Sequence, residues 1–481
     1  MSQFNAIGHF DHPGTSLQVI GAAAVKINYY LYGKNPNVYE DVFENPEAYL
    51  NMIFLFLLII NSLVLFVSGF LILRWFDNPF LSILIQLIPF VSFTVDYEFS
   101  TVSSENFLIS IILLLIVIFI KYSRDDSTVN QKKILILFSL FSGLGLVTKI
   151  TFMPILVIPL ILLKGIRYKL FYIVLTLFSF AVFFSPAISN LNVFAVWIKN
   201  LFLNDGLYGG GQPDIVDPGS FLINLKTIFT EELFFTFSYC AALFVFILVF
   251  LKKQKQRSFS NELRLLLAFF SAMTLQVIIV SKHYSPHYMV PGLMFCIPVL
   301  LLCINAVPEI LRFEIKGYVN YFYTALIFSV VIVSVLQYSK GMKEIKVQEQ
   351  EASKINSFIN ENYNDAIVIS SYGSSSKNYA LMFSTTWAAN QRSNYINIID
   401  RLYPQKLYFE FWHNKIFTSS KTNIVDILHS GKKILFQNRY PESNDLLQKE
   451  LSTLYGFKNA GLKEIFKNQN GESLYEVTGE Q

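Results

Sequence analysis

The sequence predicts a polytopic α-helical membrane protein with a soluble α/β domain at its C-terminal end. Of its 481 residues, 53% are hydrophobic and only 15% are charged, whereas soluble domains carry about 25% charged residues. Mean hydropathy is +0.44. Apolar runs long enough to cross a bilayer recur as far as Ser339, and the composition after that residue is that of a soluble protein.

The same composition excludes several other classes of protein. A disordered chain would contain less Ile, Leu and Phe and more charge. The net charge of +4 provides no basic field for nucleic acid, so we expect no such partner. The three cysteines, Cys240, Cys296 and Cys303, all lie in apolar runs, which predicts packed membrane residues and not zinc ligands.

The apolar runs predict about ten spans, since each needs about 20 apolar residues. The stretch 134–163 is long for one span and short for two, and Lys149 interrupts it. A hairpin that turns at Lys149 places Lys132, Lys164 and the run Lys252–Arg257 on one side, as the preference of positive charge for the cytoplasm requires. The other predicted spans lie near 50–73, 80–95, 106–120, 170–188, 233–251, 263–281, 288–307 and 319–337.

The resulting alternation of cytoplasmic and outer turns divides the chain into three parts. Residues 1–48 form an outer loop, 49–340 form the transmembrane domain, and 343–481 form an extracytoplasmic domain. Within the loop, 14–32 is amphipathic and predicts a helix on the outer surface. An N-terminus outside the membrane with no preceding span contradicts this topology, so we expect a further span upstream of Met1.

Alternating strands and helices predict an α/β fold for the C-terminal domain. Strands are predicted at AIVISSY (366–372), KLYFEF (406–411) and KKILFQN (432–438). No GxGxxG turn supports nucleotide binding. Helices are predicted near 377–389, 395–402, 421–430 and 444–455.

Ionisable residues gather at the predicted outer turns, and such groups at membrane depth are candidates for function. The segment 190–232 is predicted to be a long glycine-rich loop, either a lid or a solvated connection. The clusters are His9, Asp11 and His12; Asp96, Glu98 and Glu105; Lys149; Asp205, Asp214 and Asp217; and Lys282, His283 and His287.

The first cluster, in HFDHPG, has a pattern that suits an anion site. Pro13 favours the first position of a helix, whose N–H groups and positive dipole end can bind an anion. His12 lies beside that start. The alternative is an ordinary capped surface helix.

Four motifs resemble those of GT-C integral-membrane glycosyltransferases, which include the protein O-mannosyltransferases and the aminoarabinose transferases that modify lipid A. His12-Pro13-Gly14 resembles their (His/Lys)-Pro-Pro/Gly turn. GLGLVTKITFMPILVIP (143–159) resembles their Gly-x-x-x-x-Thr-Lys hairpin, and HYSPHYMVPGLMF (283–295) resembles their late outer turn. SSENFL (103–108) occupies the place where that family carries an acidic residue in its second outer loop. The resemblance covers most of 9–340.

The resemblance implies transfer of a sugar from a polyprenyl-phosphate donor to an acceptor on the outer face. An anionic leaving group needs cationic partners, and these would be His12, Lys149, Lys282, His283 and His287. A hydroxyl nucleophile needs a carboxylate base. The candidates for that base are Asp11 and Glu105, unless it lies upstream of Met1.

No cofactor beyond the donor sugar-lipid is expected. Asp96 and Glu98 are the weak metal candidates, because two carboxylates are too few for a firm site. The absence of any Asn-x-Ser/Thr sequon favours a bacterial cytoplasmic membrane over a glycosylated secretory membrane.

Two alternative functions stay open. One is a transporter or flippase for a lipid-linked glycan, although no internal repeat is seen, and the other is a non-catalytic relative of the glycosyltransferases.

The topology predicts that position 150 faces the outside and position 255 the cytoplasm. We expect a membrane-impermeant thiol reagent added outside to label Ile150→Cys and not Lys255→Cys, in a background without the three native cysteines. Labelling of position 255 alone would contradict the assignment.

Overall fold

The structure is a computed structural model. It describes residues 14–124, 131–204, 210, 213–214, 216–251, 260–311, 319–371, 395–403, 406–410, 414–418 and 423–480. The chain divides into two units. Met1–Ala24 and Ile53–Tyr338 form the membrane unit, and Val25–Met52 and Ser339–Gln481 form the C-terminal unit.

Helices account for almost all of the described chain from Thr15 to Asn362. They are α1 (Thr15–Tyr32), α2 (Val38–Glu44), α3 (Pro46–Phe76), α4 (Pro79–Gln86), α5 (Phe93–Phe99), α6 (Ser104–Arg124), α7 (Gln131–Thr148), α8 (Val157–Leu162), α9 (Ile166–Phe184), α10 (Leu191–Leu203), α11 (Pro218–Glu231), α12 (Leu233–Leu251), α13 (Asn261–Lys282), α14 (Val290–Leu293), α15 (Cys296–Leu311) and α16 (Val319–Asn362).

The prediction of a polytopic membrane protein is confirmed. Within the described ranges, eight helical segments are long and apolar enough to cross a membrane. They are Pro46–Phe76, Ser104–Arg124, Gln131–Thr148, Ile166–Leu203, Leu233–Leu251, Asn261–Lys282, Pro286–Pro308 and Val319–Asn362.

Two of the ten predicted spans are short, broken segments. The run 80–95 is divided at Ile88–Phe90, a 3₁₀ turn containing Pro89. The run after Lys149 begins with the 3₁₀ helix Ile150–Leu156 and continues only to Leu162 in α8. Proline removes a backbone donor and clashes with the preceding helical turn, and apolar composition alone does not reveal this. The predicted turn at Lys149 is confirmed, because α7 ends at Thr148 and Lys149 is extended.

The prediction of a loop over 190–232 is wrong for most of its length, because α10 and α11 lie within it. The signal for α11 is its start, Asp217-Pro218. The Asp217 carboxylate accepts hydrogen bonds from Gly219 N and Ser220 N at 3.3 and 2.9 Å, and Pro218 occupies the first helical position. An acidic N-cap followed by proline is a favoured helix start.

The C-terminal unit contains a six-stranded mixed sheet in the order β3-β2-β1-β4-β6-β5. β1 pairs in parallel with β2 and β4, and the remaining pairs are antiparallel. The strands are β1 (Ile367–Ser371), β2 (Leu407–Glu410), β3 (Lys415–Thr418), β4 (Ile434–Asn438), β5 (Lys458–Lys467) and β6 (Ser473–Glu480), with helices α17 (Ile396–Leu402), α18 (Ile424–Leu428) and α19 (Asn444–Leu454).

The α/β prediction is confirmed, and β1, β2 and β4 are the three predicted strands. α17, α18 and α19 are predicted helices, whereas the helix near 377–389 lies outside the described residues. The hairpin of β5 and β6 was not predicted. Its turn contains Asn470-Gly471, with Gly471 at φ +77°, and Asn-Gly is a strong hairpin signal.

Residues from the first 52 positions complete the C-terminal unit. The Tyr403 hydroxyl donates to Phe43 O at 2.8 Å, and Arg401 pairs with Glu40 at 2.6 Å. These contacts attach α2 to α17.

Because α7 packs closely against α9, we predict that Gly143 does not tolerate a larger side chain. A Cβ at Gly143 would lie 2.5 Å from Ser179 Cβ and 2.6 Å from Phe180 N. We expect Gly143→Ala to lower the free energy of unfolding by about 1–3 kcal/mol, as overpacking does, measured by thermal unfolding in detergent. Gly21→Ala is the matched control, because its Cβ would meet Ile53 at an ordinary 3.6 Å. An equal, small effect of both would contradict the prediction.

Candidate active site

Four segments of the membrane unit meet around one buried ion pair. They are α5, the first turn of α6, the junction between α7 and Ile150–Leu156, and the 3₁₀ turn Pro286–Met289. Three of these are short or irregular. Non-helical backbone at membrane depth is tolerated where protein covers it, so the site lies where the regular helices are interrupted.

The ion pair joins Glu105 to Lys149. Lys149 Nζ donates a hydrogen bond to Glu105 Oε1, and the two residues are only 5% and 3% exposed. Glu105 lies in the first turn of α6, where the helix dipole favours a carboxylate. Charges this deeply buried persist only when they are paired, so each residue fixes the ionised state of the other.

Lys149 has a second contact, with an aromatic ring. Its ammonium lies 5.3 Å from the centroid of the Tyr288 ring, within the range of a cation–π interaction. The backbone there is fixed because Gln276 Nε2 donates to Tyr288 O at 2.6 Å. The cation is thus enclosed by one carboxylate and one aromatic face.

His287 completes the cluster. Its Nε2 lies 3.8 Å from Glu105 Oε1, and its Nδ1 is 2.9 Å from Ser285 Oγ. Pro286 begins the 3₁₀ turn, a position that proline favours because its missing N–H has no helical partner there. The structure therefore brings Glu105, Lys149 and His287 together.

The predicted acidic pair lies on α5. Glu98 Oε2 accepts a hydrogen bond from Ser103 Oγ at 2.7 Å, and Glu98 is near enough to attract the charge of Lys149. Burial raises the pKa of the Asp96 carboxyl. In the part of the chain that the structure describes, no group of three His, Cys, Asp or Glu side chains is arranged to hold a metal ion.

A polar network that the sequence analysis missed fixes the turn between α5 and α6. Asn106 Nδ2 donates to Phe99 O and Thr101 O, both at 2.8 Å. Asn106 Oδ1 accepts from Asn61 Nδ2 at 2.7 Å, and Ser110 Oγ donates to Asn61 Oδ1 at 2.6 Å. The signal was Asn61, a polar residue inside an otherwise apolar span.

The start of α1 is attached beside Lys149. Gly14 N donates to Thr148 O at 3.2 Å, and Ser16 Oγ lies 2.6 Å from Thr148 Oγ1. Gly14 has φ +57°, a value that favours glycine. The predicted residues His12 and Asp11, with His9, lie outside the described residues.

Lys282 is held by the end of α10. Lys282 Nζ donates to Leu201 O at 2.9 Å and to Phe202 O at 2.8 Å. These carbonyls end α10, where cations are favoured. This partner could not be predicted from the sequence, because the segment that contains α10 reads as part of a loop. Lys282 therefore binds a helix end, and any contact with phosphate stays a prediction.

An apolar cavity of about 250 Å³ lies beside these residues. Tyr288 lines it and also contacts Lys149, so the cavity adjoins the ion pair. Its polar lining includes Lys282 and His283. The remaining walls are mainly aliphatic and aromatic, from Ile150, Thr151, Met153, Leu201, Phe202, Val216, Phe221, Ile278, Ile279 and Val280.

Two solved structures resemble this chain in fold. One is ArnT from Cupriavidus metallidurans bound to undecaprenyl phosphate, with TM-score 0.48, 10% identity, and coverage of 98% of this chain and 93% of that chain. The other is the same protein in the apo state, with TM-score 0.49, 11% identity and coverage of 97% and 88%.

No family model matches the chain, and no curated protein matches it. ArnT is an aminoarabinose transferase of the GT-C class, the class that the sequence motifs resemble. At these values the likeness concerns the fold alone, and function has to be argued from the side chains of the site.

The buried pair predicts strong coupling between its two members. Lys149→Met leaves Glu105 charged and unpaired, so we expect a loss of about 3–5 kcal/mol in the free energy of unfolding. Adding Glu105→Gln removes the orphaned charge and should restore much of that loss. Thermal unfolding of the full chain in detergent tests this. A double variant that is as unstable as the sum of the single variants would contradict the coupling.

Proposed function

We propose that this protein is a membrane glycosyltransferase that moves a sugar from a polyprenyl-phosphate carrier to an acceptor on the outer face of a bacterial cytoplasmic membrane. The observation that carries the proposal is a buried lysine at the edge of an apolar cavity, with Tyr288 in contact with both. A lipid phosphate has these two parts, an anionic head and an apolar chain.

The head-group side offers more than one cationic or donor group. A lysine ammonium has three N–H donors, and Glu105 accepts one of those of Lys149. The first turn of α1 is attached next to Lys149 through Thr148, and helix N-termini favour anions. The phosphate gains negative charge as it leaves the sugar, so these groups bind the transition state more strongly than the donor.

The lipid side is the cavity beside α10, α11 and α13. Its walls are largely apolar, and burial of apolar surface contributes about 25 cal/mol per Å². The isoprene units nearest the phosphate would occupy it. Lys282, fixed to the end of α10, supplies a positive charge at its border.

The acceptor belongs to the proposal only as a hydroxyl-bearing lipid, glycan or protein. Its proton needs a base, and Asp11 and Glu105 were predicted for that role. The C-terminal unit would face the same side of the membrane as the site. No cofactor beyond the sugar-lipid donor is required by this chemistry.

Lys149 should dominate binding of the carrier. We expect Lys149→Ala to weaken binding of undecaprenyl phosphate, and to slow sugar transfer, by roughly 10- to 100-fold, because a hydrogen bond to a charged group contributes about 1.5–3 kcal/mol. Binding is measured by native mass spectrometry on the purified full chain, below the unfolding temperature of the variant.

Two controls accompany this measurement. Lys149→Arg keeps the charge and should retain part of the affinity. Lys226→Ala removes an exposed lysine on α11 and should leave it unchanged. Wild-type affinity in Lys149→Ala would remove Lys149 from the site, and no binding by the wild-type protein would overturn the proposed function.

A further inference from the structure

We infer that Glu98, and not Glu105, is the carboxylate that takes the proton from the acceptor hydroxyl. The inference rests on the proposed function and assigns a role within the same site. It follows from the different surroundings of the two carboxylates, together with the way in which α5 is held.

Glu105 is engaged at both oxygens. Oε1 accepts from Lys149 Nζ, and Oε2 accepts from Ser104 Oγ at 3.0 Å. The residue is 3% exposed. If Glu105 took up a proton, Lys149 would be left buried without its counter-ion, which is costly. Glu105 therefore serves as the fixed partner that positions Lys149.

Glu98 is partly exposed and is held at one oxygen only. Oε2 accepts from Ser103 Oγ, whereas Oε1 has no hydrogen-bond partner among the residues that the structure describes. A base must reach the proton that it removes within a hydrogen-bond length, and Oε1 is open to such a contact. The helix that carries Glu98 contacts the turn Pro286–Met289. Ser103, which binds Glu98, also accepts a hydrogen bond from Asn106 N, the residue after Glu105, so Glu98 belongs to the segments that surround the ion pair.

The helix that carries Glu98 is anchored at its first turn. Ser92 Oγ and Thr94 Oγ1 donate to the Glu232 carboxylate at 2.8 and 2.7 Å. Ser92 is also the N-cap, because its hydroxyl accepts from Thr94 N. A seven-residue helix is marginal in isolation, so these contacts help to keep it formed.

The other end of α5 is anchored by Asn106, through the carbonyls of Phe99 and Thr101. Asn106 N also donates to Ser103 Oγ at 3.3 Å, and Ser103 in turn binds Glu98. Asn106 directly follows Glu105 in α6. One hydrogen-bond network thus sets the positions of both carboxylates. A reacting group needs neighbours that hold it in place in this way.

The step balances in atoms and charge. The acceptor O–H bond breaks and its proton goes to Glu98 Oε1, which becomes neutral. The acceptor oxygen forms a bond to the anomeric carbon of the sugar. The bond from that carbon to the phosphate oxygen breaks, its electron pair stays on the phosphate, and the lipid phosphate leaves with one more negative charge beside Lys149.

The test uses the full chain in liposomes, with water as the acceptor. The probes are radiolabelled hexoses and pentoses linked to undecaprenyl phosphate, and release of free sugar is measured. Glu98→Gln should lower kcat by about 10²–10⁴-fold while its affinity for undecaprenyl phosphate stays within a few-fold of wild type. Glu98→Ala should be equally slow and should regain part of its rate in sodium formate, because a free carboxylate can replace the missing base.

A purely structural role for Glu98 would give no formate rescue. Asp445→Asn is the matched control, because it removes an exposed carboxylate in the first turn of α19, in the C-terminal unit; its rate should not change. Wild-type turnover in Glu98→Gln, or a loss in Glu98→Ala that formate does not reverse, would overturn the inference. No binding of undecaprenyl phosphate and no turnover by the wild-type protein would instead overturn the proposed function, and this role with it.

Discussion

The arrangement of the membrane unit depends on one constraint, the need to neutralise a lysine that is 5% exposed. Lys149 follows the end of α7, and its counter-ion, Glu105, lies 44 residues earlier in the first turn of α6. The cost of burying either charge alone requires these two helix ends to meet. Tyr288, which adds its ring face to Lys149, brings the turn before α14 to the same place.

Interrupted helices make this meeting possible. Pro89, Pro154 and Pro286 each lie in a 3₁₀ segment, where the backbone leaves the regular helical path. Their neighbours must then satisfy backbone groups that a helix would have bonded internally. Asn106 does this for the turn after α5, and Gln276 does it at Tyr288. Polar side chains inside the spans are therefore part of the fold, and they also fix the site.

The sequence was most informative where charge and proline act locally. The preference of positive charge for the cytoplasm predicted the turn at Lys149, where α7 ends. Pairing between distant residues could not be predicted from the sequence. Nothing in 103–108 specifies that Glu105 contacts Lys149, because that contact depends on how α6 and α7 pack. The partner of Lys282 could not be predicted either, because α10, whose carbonyls it binds, lay within a predicted loop. Two predicted spans are shorter than expected because proline breaks their apolar runs.

Two carboxylates near one cation need not have the same role, and their surroundings distinguish them. Environments that differ in burial and pairing can assign two acids to different tasks. Glu105 is enclosed and bonded at both oxygens, so its charge is permanently committed to holding Lys149. Glu98 is partly exposed and bonded at one oxygen. Since Lys149 has donors beyond the one given to Glu105, it can hold its counter-ion and a phosphate together, and a proton can move to Glu98 without breaking the pair that keeps the site assembled.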